Sequence, residues 1–78
     1  MPIVVPISGE MLSKILVADG WEVVSGNGDM SLHEKNGFSS PILFNLSATM
    51  TGPMVEAVLR YAQLPEERYL TLKAGLSA

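Results

Sequence analysis

His33 is the only histidine in the chain and the one side chain with an ordinary pKa close to neutrality. Held at a scissile bond, such an imidazole would act as general acid or base. Asp29 and Glu34 lie close by in sequence and add two carboxylates. One histidine and two carboxylates on a short strand are a thin ligand set, so neither a metal nor any other cofactor is expected. The neighbouring glycines do not make a phosphate cradle. Gly26-Asn27-Gly28 lacks the spacing of a P-loop and the helix and lysine that follow one, and turn geometry accounts for it. Cysteine is absent, which excludes disulfides and thiolate metal sites.

Whether His33 reaches solvent depends on the elements around it. Ser8 is a good helix N-cap, and Met11, Leu12, Ile15 and Leu16 recur at helical spacing with Glu10, Ser13 and Lys14 on the other side. Val17 and Ala18 widen the apolar face before Asp19-Gly20 ends the helix. Trp21 to Val24 reads as a strand, followed by a turn-rich run from Ser25 to Asp29. A second strand spans about Met30 to Lys35, and Asn36-Gly37 is a hairpin turn signal before a third strand, Ile42 to Leu46. Ser47 to Gly52 is a polar connector. Pro53 opens a second helix that Thr51 or Gly52 caps, with Met54, Val55, Val58, Leu59 and Ala62 inward and Glu56, Arg60 and Gln63 outward. Leu64-Pro65 interrupts it, and a short third helix runs from Glu66 to Leu70, leaving residues 71–78 as a frayed tail.

This order predicts a single α+β domain over residues 1–78, with helices covering one face of a three-stranded antiparallel sheet. Simple alternation from Met30 would turn Ser31 and His33 toward the core. A one-residue bulge at Gly28-Asp29 reverses that, burying Met30 and Leu32 and exposing His33. The bulged register is the one expected.

The run Asp19-Gly20-Trp21-Glu22-Val23-Val24-Ser25-Gly26-Asn27-Gly28-Asp29-Met30 resembles the signature of the HicA (YcfA-like) family of small mRNA-cleaving toxins. In that family a Gly-aromatic start leads through a hydrophobic strand to Gly-Ser-His, whose histidine is catalytic. The resemblance covers roughly residues 1–70. It includes Met1-Pro2, Ser8-Gly9, Lys14, Leu16, the stretch Val58-Leu59-Arg60-Tyr61-Ala62-Gln63-Leu64-Pro65, and Glu66-Glu67-Arg68-Tyr69-Leu70. It implies a double-stranded-RNA-binding-domain-like α-β-β-β-α fold. The departures fall on the family's functional positions. Met30 stands in place of the catalytic histidine and Asp29 in place of its serine; Ser25 and Asn27 replace basic residues. Ser47 takes the place of a second histidine, and Glu56 that of an arginine suited to phosphate. With the frame retained and these positions lost, the resemblance implies a scaffold that no longer cleaves RNA. The alternative is a working toxin ribonuclease that uses His33 and is neutralised by a HicB-like antitoxin.

Composition bears on the same choice. Hydrophobic residues make up 47% of 78, enough for a core, and charged residues only 17%. The net charge is −3, and the five basic residues, Lys14, Lys35, Arg60, Arg68 and Lys73, are scattered. Nucleic-acid binding draws on clustered cations, so it is not expected. The apolar start, Met1 to Ile7, is too short to span a bilayer and has no basic lead, which predicts an extended arm over residues 1–7 and a cytoplasmic protein. With Trp21 and Val23 inward, Val24 and Leu43 fall on the open face of the sheet, with Met30 beside them and Glu22, Asn45 and His33 at the rim. Such a patch fits a protein partner, a basic-surfaced one in view of the acidic charge, or a second copy in a homodimer. Val24, Met30, Leu43 and Glu56 are the expected binding residues.

Overall fold

The computed structural model describes residues 6–27, 30–39 and 41–77. Ser8 sits in extended backbone and its Oγ accepts the Met11 N–H at 3.1 Å, capping helix α1 (Gly9–Ala18). Leu12, Ile15 and Leu16 are fully buried along one side of α1. At the other end, Asp19 N–H bonds back to Ile15 and Leu16, and Gly20, at φ 106°, turns the chain so that Trp21 N–H reaches Leu16 O at 2.9 Å. The Asp19 carboxylate takes Lys35 Nζ at 3.2 Å and Arg68 Nε at 3.5 Å, tying the hairpin and the C-terminal helix to the end of α1.

Strand β1 (Ile7–Ser8) precedes α1; strands β2 (Glu22–Asn27), β3 (Met30–Glu34) and β4 (Ile42–Asn45) follow it. These last three form an antiparallel sheet in the order β2-β3-β4, and Gly37, at φ 93°, lies in the turn between β3 and β4. A two-residue strand β5 (Thr49–Met50) then pairs antiparallel with β1, Ile7 opposite Met50 and Ser8 opposite Thr49. That small second ladder runs through residues expected to be a polar connector. Thr51 caps helix α2 (Gly52–Tyr61), its Oγ1 accepting the Met54 N–H at 3.4 Å, with Pro53 in the first turn. Helix α3 (Glu66–Ser77) continues to Ser77 where a frayed tail was expected after Leu70.

The architecture is α+β, with the helices packed on one face of the three-stranded sheet. The core joins Leu12, Ile15, Leu16 and Trp21 to Ile42 and Phe44 of β4, Val55 and Leu59 of α2, and Tyr69 of α3. Gly9, buried at the start of α1, lies against the backbone of Asn45 and Leu46; a Cβ there would overlap the Asn45 carbonyl oxygen. This close approach is fastened by Gly9 N–H to Ala48 O at 2.8 Å and Glu10 N–H to Leu46 O at 3.0 Å. Several helical residues depart from the expected faces: Ala18 is exposed and Ser13 is buried. Val17 is exposed, and Met54, expected inward, is also exposed. Among the described residues no helix is long and apolar enough to cross a membrane.

Candidate functional site

The register of β3 decides the fate of His33. Ser31 pairs with Phe44 and His33 with Ile42, and all four are buried on the helical side of the sheet. Met30 and Leu32 are half-buried and Leu43, opposite Leu32, is 56% exposed. The expectation that His33 and Ser31 face solvent is therefore corrected: His33 is 0% exposed. Gly28 and Asp29, where the bulge was expected, lie outside the described residues. A shift of register occurs instead within β2, where Val23 pairs with His33 and Ser25 with Leu32, leaving Val24 as the extra residue. Val24 is 51% exposed, and so is Val23, which had been assigned to the core.

Buried, His33 is held on three sides. Its Nδ1 lies 3.2 Å from the carbonyl oxygen of Ile42, and its Nε2 2.7 Å from Ser13 Oγ. A carbonyl only accepts, so Nδ1 carries the proton, and Nε2 of the neutral ring accepts from the Ser13 hydroxyl. The ring also stacks on Phe44, centroids 4.7 Å apart and planes 6° from parallel. Burial pushes the imidazole below its ordinary pKa, against the smaller opposing effect of its backbone hydrogen bonds. In an open cleft, a serine hydroxyl donating to an imidazole would be a nucleophile with its base. Here both members are sealed in the core, and what the pair does is join α1 to β3 and β4. Ser13 had been placed on the outer side of α1. A signal was there: Gly9 and Ser13, two small residues four apart, let α1 approach the sheet closely.

What the fold leaves open is apolar. Leu32 and Leu43 face each other across β3 and β4 on the side away from the helices, with Met30, opposite Asn45, beside them and exposed Val24 on β2. Strand β4 is one of the two edges of this sheet. Along that edge a groove of about 300 Å³ is lined by Pro41, Ile42, Leu43, Ala57, Val58 and Tyr61. Leu43 belongs to both the open face and the groove. Exposed Met54 lies seven residues, two helical turns, before Tyr61 on α2. The groove was not foreseen, because Val58 reads as core and Tyr61 carries no motif; the spacing of Met54, Ala57, Val58 and Tyr61 is the signal that would have shown it.

Val24, Met30 and Leu43 thus share the sheet, whereas Glu56 is exposed on α2 in the helical layer and lines neither patch nor groove. A separate polar cleft of about 370 Å³ lies between Gly20 and the β3–β4 turn, with Glu22 and Glu34 directly opposite each other and Lys35 nearby. Three of the five basic residues are committed to carboxylates: Lys14 to Glu10 at 3.6 Å, and Lys35 and Arg68 to Asp19. No family model, curated protein or solved structure matches the chain.

Proposed function

We propose that this chain is a non-catalytic HicA-like domain whose work is to bind a protein. The surface used is the open face of the sheet, running from Val24 through Leu32 and Leu43 into the groove beside α2. The observation that carries the reading is Leu43, a large apolar side chain 56% exposed on an edge strand, continuous with an apolar groove. Surfaces of that kind, with an apolar centre and a polar rim, characterise protein contacts. Glu22 and Glu34 at the neighbouring cleft favour a partner with basic groups. A homodimer joined along β4, an inhibitory complex or a HicB-like partner would each use this surface, in a cytoplasmic setting. The burial of His33 works against ribonuclease activity, since a phosphodiester has no path to the imidazole. Pairing of Lys14, Lys35 and Arg68 with carboxylates likewise works against a phosphate-binding face. The test is a pull-down of the tagged chain from lysate of its source cell with and without ribonuclease, together with sizing of the purified chain. A stoichiometric protein partner that survives ribonuclease, or a dimer of the chain alone, supports the proposal. Co-purification of RNA that disappears on treatment refutes it.

A further inference from the structure

We propose that His33 is an acid-labile latch between α1 and the β3–β4 hairpin, which mild acid releases. The inference stands on the packing of the ring and is independent of the protein-binding reading. The neutral imidazole fits its site fully. One nitrogen donates to Ile42 O, the other accepts from Ser13, and one face lies on Phe44. Protonation would keep both hydrogen bonds, because the Ser13 hydroxyl can rotate to accept. It would, however, place a full charge in a site with 0% exposure and, among the described residues, no counter-ion.

The described groups around the ring offer no compensation. On α1, Glu10 is engaged with Lys14 at the surface and Asp19 with Lys35 and Arg68. From β2 the residue opposite is Val23, and Glu22 pairs with Glu34 one position further along. Glu34 is exposed, pointing away from the core in strand alternation. From β4 the facing residues are Ile42 and Phe44, neither ionisable. Among the described residues the other buried titratable side chain, Tyr69, is a neutral phenol whose pKa burial raises further.

The direction of the pH effect follows by linkage. The native imidazole binds its proton below the ordinary value of about 6.5 that holds in the unfolded chain. Below that pH the unfolded chain carries a proton the native state lacks, so stability falls as pH falls, until the native ring also protonates. The unfolding constant rises by up to about tenfold per pH unit, and by up to about thirtyfold between pH 7.5 and 5. Ordinary carboxylates titrate mostly below that range.

The experiment is urea unfolding of the full chain at pH 7.5, 6.5, 5.5 and 5.0, for the parent and for His33→Gln, with the parent's imidazole nitrogens followed by NMR over the same range. The parent is expected to lose stability across this window while its native ring stays in the Nδ1–H neutral form below pH 6.5, and the variant is expected to show a flat profile. A parent with constant stability overturns the proposal, as does a variant with the parent's slope. Should His33→Gln fail to fold, the parent's NMR titration decides. A native ring that stays neutral while stability falls supports the latch, and one that titrates near 6.5 overturns it.

Discussion

Replacing Gly9 by Ala is the smallest change that tests how α1 is seated. The added Cβ would overlap the Asn45 carbonyl oxygen and stand 3.0 Å from both Asn45 C and Leu46 Cα, all backbone atoms. Carbon–carbon contact is optimal at about 3.5–4.0 Å, so the start of α1 must retreat by up to about 1 Å. That retreat strains the bonds Gly9 N–H to Ala48 O and Glu10 N–H to Leu46 O. Overpacking costs about 1–3 kcal/mol and each weakened hydrogen bond about 1 kcal/mol. The better helix propensity of Ala returns about 1 kcal/mol. The net loss is about 2–4 kcal/mol, against a total stability of order 4–12 kcal/mol for 78 residues. For a domain this small, the melting temperature should fall by roughly 10–30 °C. Circular dichroism melting with urea titration measures it. A variant melting within about 3 °C of the parent would show that α1 does not rest on the Asn45–Leu46 backbone.

Two further substitutions probe other parts of the packing. Gly75→Ala on α3 meets no atom within 4 Å and removes a flexible residue from a helix, so it should stabilise by about 0.5–1 kcal/mol; a loss in the same urea assay would contradict a helix through residue 75. Tyr69→Phe removes a buried hydroxyl that has no hydrogen-bond partner among the described residues, and should be neutral or stabilising by up to about 1 kcal/mol. A loss beyond about 1.5 kcal/mol would show that the hydroxyl is bonded in solution.

Local chemistry made most of the fold legible. The Ser8 cap, the Leu12-Ile15-Leu16 stripe, the glycine turns and Pro53 each specify an element within a few residues of where it occurs. The β1–β5 ladder was not legible, because a two-residue strand has no periodicity and its pairing joins segments about forty residues apart. The facing of His33 was misread because a bulge at Gly28-Asp29 was preferred to simple alternation from Met30, which gives the buried ring. A strand's faces swap with a shift of one residue, and the shift within the described residues lies at Val24, where nothing in the composition marks it. Of the proposed binding surface, Leu43 could be read from alternation, whereas Val24 sits at the register shift and its exposure did not follow from it. The groove along α2 could not be read, because it exists only where β4 and α2 meet, and Glu56 was included on grounds of resemblance alone.

The sheet face carrying Val24 and Leu43 is proposed to bind a protein. The most direct test is retention of the co-purifying partner, or of the dimer, by a Val24→Glu/Leu43→Glu variant whose circular dichroism and melting match the parent. Both side chains are more than half exposed, so the fold should survive the change. Association should weaken at least about a hundredfold, as expected when two charges are placed in the apolar centre of an interface. Undiminished association by the folded variant would contradict the proposal and place the binding surface elsewhere on the molecule.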